Sequence, residues 1–335
     1  MSELKAIVNK IASSGKGILA ADESNGTMTK RLEGVKIQST AENRLNFRNT
    51  LFTSNAMKTC IGGVILYDET IRQEKNSQKI PNIISQSGAV PGIKVDTGAK
   101  VMANSSQEKI TEGLDGLRER LKDYYSLGAR FTKWRGVFTI SKEHPSKLSI
   151  SSNVHALARY AALVQEAGMV PIIEPEVLMD GNHSVEVCFN KTSEVIKKCY
   201  EELILFKIDL EGTILKPNMI LPGADSDQKI SSGEIAELTL KCLKENVPSE
   251  VSVIAFLSGG QTEIQATKNL NEINKINQTN FIFTYSYGRA LQQSALKHWS
   301  KNIKDKTGTQ EIFNHRAEMC SKASKGEWSE TLEKA

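Results

Sequence analysis

Several short apolar runs in this chain end in a lysine, glutamate or aspartate, which carries a reactive head group to the edge of a core. In EGTILKPNM (211 to 219), Thr213, Ile214 and Leu215 read as a buried strand that Pro217 ends, so Lys216 lies at its tip. A lysine so placed either snorkels or reacts. Its solvated pKa is near ~10.4, and its amine becomes a nucleophile only after losing the proton. Burial and neighbouring cations lower that value, and Lys133, expected nearby, supplies the like charge that activates Schiff-base lysines. Attack on a ketone then needs a group that gives and takes protons while the carbinolamine forms and dehydrates. Glu174 is the candidate. Glu176, one residue beyond Pro175 and on the same side, could hold Lys216 by a hydrogen bond; a plain salt bridge is its alternative reading. Asp22 is the best-placed base for a hydroxyl next to a breaking carbon–carbon bond.

A second chemistry is anion binding. LSGGQ (257 to 261) supplies Ser258, Gly259 and Gly260, and SYGRA (286 to 290) supplies Ser286, Gly288 and Arg289 at the start of a helical stretch. Glycines admit close backbone approach, helix N-termini present free N–H groups, and arginine offers a fork of donors, which together suit phosphate. Taken alone, a glycine pair after a strand is a turn. Arg31, Lys94 and Arg135 are expected across the mouth from Ser258 and Arg289, and two anion sites imply a substrate with two phosphates.

The elements that must position these groups are eight strand-like runs: 17 to 22, 62 to 66, 92 to 96, 131 to 135, 169 to 176, 212 to 217, 253 to 260 and 281 to 286. Segments of helical period such as 114 to 128 and 154 to 168 separate them, the signature of repeated βα units. Eight units close a (β/α)8 TIM barrel, whose chemistry lies at the C-terminal strand ends. A doubly wound open sheet is the rival on periodicity alone. Residues i and i+2 of a strand share a face, so Lys94 with Asp96, Lys133 with Arg135 and Glu174 with Glu176 would all point inward. Each pair alone could be a structural ion pair; that explanation has to hold for five strands at once. No linker or composition shift divides the chain, so residues 1–335 read as one domain. Helices at about 2–14 and in the segment of about 304–335 are expected to cap the barrel ends.

Composition narrows the function. With 43 basic and 39 acidic residues spread along the chain, the net charge is +4, and no block of like charge points to nucleic acid. No apolar run is long enough for a membrane-spanning helix or a signal peptide. Five cysteines without a C-x-x-C pair suit neither a disulfide framework nor a zinc ribbon, and a reducing, cytoplasmic location is the simple inference. The five histidines show no metal-ligand spacing, so neither a metal nor another cofactor is expected.

LAADES (19 to 24), GGVIL (62 to 66), GIKVD (92 to 96), FTKWR (131 to 135), VPIIEPE (170 to 176), LKPNM (215 to 219), FLSGGQ (256 to 261) and SYGRA (286 to 290) resemble class I fructose-bisphosphate aldolases over almost the whole chain. The resemblance implies a metal-free TIM-barrel enzyme, usually a homotetramer. It would cleave fructose 1,6-bisphosphate to dihydroxyacetone phosphate and glyceraldehyde 3-phosphate, in glycolysis and gluconeogenesis. It also implies roles: Lys216 as the Schiff-base lysine, Glu174 as the proton-transfer group, Lys133 as the charge-stabilising lysine, Asp22 as the base at the C4 hydroxyl and Glu176 as support for the lysine. Ser258, Gly259 and Arg289 would hold the C1 phosphate, and Lys94 and Arg135 would face the far end, with Arg31 and Thr27 also in the site.

Two features depart from the animal members. Thr27 stands where they have a serine, which keeps the hydroxyl but limits its rotamers. Their tail ends in a tyrosine that enters the active site, whereas this chain reads GEWSETLEKA, with Trp328 its only aromatic, as in the shorter bacterial-type members. Two other functions fit part of the pattern. One is a Schiff-base lyase for a different sugar phosphate. The other is a scaffold role with cytoskeletal partners, an association of the family as a group, for which the sequence offers no basic surface helix or low-complexity arm.

Overall fold

Each of the eight runs becomes a strand, and parallel pairing closes them into a barrel. The computed structural model describes residues 2–334. The barrel strands are β1 (Gly17–Ala21), β2 (Ile61–Leu66), β3 (Val90–Lys94), β4 (Phe131–Phe138), β5 (Val170–Val177), β6 (Ile214–Leu215), β7 (Val253–Phe256) and β8 (Ile282–Tyr287). Each pairs with its sequence neighbour, and β1 closes on β8 through Ile18 with Ser286 and Leu19 with Tyr287. The open sheet is thereby excluded.

Both faces of these strands are covered, which is why they read as continuous apolar runs. Inside lies a cluster that includes Ile18, Ile65, Phe131, Ile172, Ile214 and Val253, and the larger cluster fills the space between the strands and the outer helices. The helix α1 (Glu3–Ile11) plugs the N-terminal end with Val8 and Ile11. It lies so close to β2 that a Cβ on Gly62 would stand 1.9 Å from the Ile11 carbonyl oxygen, so only glycine fits there.

The helix Lys306–Ala323 does not cap the other end. It packs on the outside, against helices Ala41–Phe52, Glu263–Ile276 and Arg289–Trp299. Its buried Phe313, Ala317 and Cys320 recur at three and four residue steps and match those neighbours instead of the polar barrel mouth. The segment that follows is strapped down: Trp328 is buried, and its Nε1 donates to Glu333 Oε1 at 2.7 Å. Arg316 donates to both oxygens of Glu333, each at 2.7 Å.

Two small hairpins escaped the sequence reading, one of them Glu74–Lys75 with Gln78–Lys79. After β3 the chain forms an antiparallel hairpin, Gly98–Met102 with Ser105–Glu112, whose largely exposed and polar residues read as loop.

Candidate active site

At the C-terminal end of the barrel lies a cavity of about 520 Å3, bordered by side chains from the strand ends and the loops that follow them. Fourteen of the fifteen sequence-predicted residues border it: Asp22, Thr27, Arg31, Lys94, Lys133, Arg135, Glu174, Glu176, Lys216, Ser258, Gly259, Ser286, Gly288 and Arg289. Gly260 does not. It is an exposed turn residue at φ +88°, a conformation that suits glycine whatever the ligand.

Register explains the convergence. On β4, Lys133 lies beside Lys94 of β3, and Arg135 beside Glu174 of β5, so alternate residues of three neighbouring strands face the same mouth. β6 is only two residues long, but the Lys216 N–H still donates to the Ile173 carbonyl at 2.8 Å. That bond sets the lysine one rung above the strand, and Pro217 ends the ladder there.

The floor of the mouth is a chain of charges. Glu174 bridges two ammonium groups, with Oε1 at 3.1 Å from Lys216 Nζ and Oε2 at 3.1 Å from Lys133 Nζ. Lys133 also donates to Asp22 Oδ2 at 3.0 Å. Lys133, Glu174 and Lys216 are 5%, 3% and 4% exposed, so water screens these contacts little. Burial opposes the charge on Asp22, but Lys133, Lys216 and Lys94 outweigh it and hold that carboxyl well below the usual carboxylate range. Burial likewise opposes charge on Glu174, and Lys133, Lys216 and Arg135 outweigh it, so its pKa too is lowered. In Lys133 burial is outweighed by Asp22 and Glu174, which raise its pKa.

Three expectations change. Glu176 does not hold Lys216: its carboxylate accepts from Arg135 Nε, because Arg135 and Glu176 flank the mouth on adjacent strands. Lys133 is not a bare cation repelling Lys216, since Glu174 lies between the two. Arg31 is not across the mouth from Arg289. It extends from the helix Asn25–Gly34 after β1, which the barrel closes onto β8, and its Nη2 lies 3.7 Å from where a Cβ on Gly288 would stand. Lys94 and Arg135, on β3 and β4, do face β7 and β8 across the barrel.

The Ser258, Gly288 and Arg289 corner has the form of an anion site. Gly288 is the N-cap of the helix Arg289–Trp299, and a Cβ there would come 3.4 Å from the Ala20 carbonyl oxygen. The buried Ser286 hydroxyl has no hydrogen-bond partner among the described residues, and it borders the cavity. Thr27 and Ser24 hydroxyls lie 3.1 Å apart on the rim.

Sequence reasoning missed Glu23, Ser24, Tyr67 and Lys100, which also border the cavity. Glu23 organises one wall, accepting from Arg31 at 2.5 Å and from the buried Arg48 at 3.3 Å. It neighbours Asp22, and strict alternation would have turned it away; the loop that follows β1 brings both inward. Lys100 belongs to the unforeseen hairpin after β3.

The sequence model of the family "Fructose-bisphosphate aldolase class-I" matches residues 3–335. A protein of Xylella fastidiosa named probable fructose-bisphosphate aldolase class 1 is 46% identical over 330 residues, covering 98% of this chain and 99% of its own. Fructose-bisphosphate aldolase 4, cytosolic, of Arabidopsis thaliana is 45% identical over 326 residues, covering 97% of this chain and 83% of its own. Among solved structures, fructose-bisphosphate aldolase from Plasmodium falciparum, in a ternary crystal with TRAP and a small-molecule inhibitor, superposes with a TM-score of 0.96 at 41% identity. It covers 98% of this chain and 95% of its own. By sequence over its whole length and by fold, the chain belongs to the class I fructose-bisphosphate aldolases.

Proposed function

We propose that Lys216, Glu174, Lys133 and Asp22 carry out the Schiff-base cleavage of fructose 1,6-bisphosphate by this carbon–carbon lyase. The observation that carries the assignment is the placement of Glu174 between two buried lysines, with Lys216 at 3.1 Å. Glu174 takes a proton from the Lys216 ammonium, and the freed amine attacks the ketone carbon C2. The same carboxyl returns the proton to the leaving hydroxyl, so water departs and an iminium remains.

The iminium is the electron sink. Asp22, held anionic by its three lysines, takes the proton of the C4 hydroxyl. The C3–C4 bond breaks, its electrons pass to the iminium to give an enamine, and glyceraldehyde 3-phosphate leaves. Protonation at C3 and hydrolysis of the iminium release dihydroxyacetone phosphate and restore Lys216. Lys133 stays charged throughout, keeping Asp22 ionised until it takes that proton and offsetting negative charge as it develops. Ser258, Gly259, Ser286, Gly288 and Arg289 would receive the C1 phosphate, with Arg31 at the same corner and Thr27 on the rim. Lys94 and Arg135 would border the other end of the ketose.

The enzyme would work in the cytoplasm, a reading supported by the cytosolic names of its Arabidopsis relatives. Among the described residues no helix is long and apolar enough to cross a membrane. A homotetramer, the usual assembly of the family it resembles, is the proposed oligomer. Borohydride reduction with dihydroxyacetone phosphate should attach the substrate covalently at Lys216. Mass spectrometry that places the adduct on another lysine, or finds none, would refute the assignment.

A further inference from the structure

The run LSGGQ after β7 ends in Gln261, which lies off the barrel mouth, whereas Ser258 and Gly259 border it. Gly259 and Gly260 take φ +53° and +88°, and the Gln261 N–H donates to the Ser258 carbonyl at 3.0 Å. Those features make a type I′ turn. The Gln261 side chain adds a second donor to that carbonyl, Nε2 at 3.0 Å. Its Oε1 accepts from Asn269 Nδ2 at 2.7 Å, and Asn269, 4% exposed, lies on the helix Glu263–Ile276. A carbonyl can only accept, so the glutamine must turn its NH2 to Ser258 and its oxygen to Asn269.

One peptide unit carries the consequence. The Ser258 carbonyl and the Gly259 N–H belong to the same trans peptide and point in opposite directions. With the carbonyl tied to Gln261, off the mouth, the N–H is turned the other way. It has no hydrogen-bond partner among the described residues, and the glycine that carries it borders the cavity. Glycine leaves this orientation insecure, because it accepts φ of either sign at little cost, and a flipped unit would show a carbonyl oxygen to an anion. The second donor opposes that flip. Each hydrogen bond the carbonyl accepts also polarises the N–H on the far side of the unit.

We propose that Gln261, braced by Asn269, is a positioning residue for the C1 phosphate: it holds the Ser258–Gly259 peptide with its N–H towards the anion. This rests on the aldolase reading above, and it adds two residues that themselves lie off the mouth.

The test is steady-state cleavage of fructose 1,6-bisphosphate, with competitive inhibition by dihydroxyacetone phosphate, in wild type, Gln261→Met, Asn269→Leu and the double variant. Melting temperatures are measured alongside. In Gln261→Met, KM for the bisphosphate and Ki for dihydroxyacetone phosphate should rise together, roughly tenfold, the scale of one hydrogen bond to a charged group. The value of kcat should stay close to that of wild type, as when ground state and transition state lose the same binding. Asn269→Leu should shift both constants the same way, and the double variant should be no worse than Gln261→Met, because the two residues act through one amide. The helix cap does not depend on Gln261, since Thr262 and Gln265 form the capping box of Glu263–Ile276. If Gln261→Met fails to fold, Asn269→Leu decides the matter from the other side of the same bond. A merely structural glutamine would lower kcat and melting temperature at unchanged KM and Ki. That pattern in a folded variant overturns the proposal and leaves the aldolase reading intact. A wild-type protein that does not cleave the bisphosphate overturns both.

Discussion

Glu174 Oε1 stands 3.1 Å from Lys216 Nζ, while the backbone N–H of Lys216 is hydrogen-bonded to Ile173, the residue just before that glutamate. Backbone pairing therefore fixes how far the amine lies from the carboxylate proposed to accept its proton. The second oxygen of Glu174 faces Lys133, so one carboxylate ties the proposed nucleophile to the cation that holds Asp22 ionised.

Glu174→Gln keeps the shape but removes the proposed proton shuttle. It should lower kcat by about 10²- to 10⁴-fold, the usual contribution of a positioned acid–base group. Rapid-quench measurement of borohydride-trapped adduct should show that the Schiff base itself forms more slowly. A variant that traps adduct at the wild-type rate would remove Glu174 from this step.

Lys216→Met should abolish trapping while preserving the fold. The substitution deletes one buried cation, but Glu174 keeps Lys133 as partner, so no carboxylate is left without a charge. Thermal unfolding should stay within a few degrees of wild type or rise. A large fall in melting temperature would show that the lysine holds the barrel together.

Lys133→Met should have a pH-dependent stability cost. Asp22 and Glu174 have folded pKa values depressed below their ordinary 3.8 and 4.5, so their contribution is present above those values and is lost as pH falls through the folded ones. Lys133 is raised above 10.5, so its contribution is full below that value and is lost only as pH rises through the folded one. The melting-temperature gap between wild type and variant should thus be widest from about pH 6 to 9 and narrow below about pH 4. A gap that is constant, or that widens on acidification, contradicts the charge chain.

Glu333→Gln tests the strap. The neutral side chain weakens both Arg316 hydrogen bonds and the one from Trp328, and should cost about 2 kcal/mol, the scale of hydrogen bonds to charged groups. Melting temperature should drop by a few degrees while kcat/KM at 25 °C is unchanged, because Glu333 does not border the barrel mouth. A selective loss of activity without loss of stability would mean that this segment serves the active site.

Much of the fold was legible because a parallel barrel buries both faces of its strands, so that runs such as GGVIL and VPIIEPE stand out from the helical stretches between them. The polar ends were legible for the same reason: an ammonium or carboxylate that ends such a run has nowhere to point but the mouth. The sequence by itself thus determined the eight βα units, the positions of Lys216, Glu174, Lys133 and Asp22, and, through its motifs, the family. Who pairs with whom was decided only in three dimensions. Register sets Arg135 beside Glu174 and leaves Glu176 to the arginine instead of the lysine. Closure of β1 onto β8 moves Arg31 to the side of Arg289. The hairpin after β3 and its Lys100 leave no periodic trace, because an exposed polar ribbon is held by cross-strand hydrogen bonds and by Asp96, not by a buried apolar face.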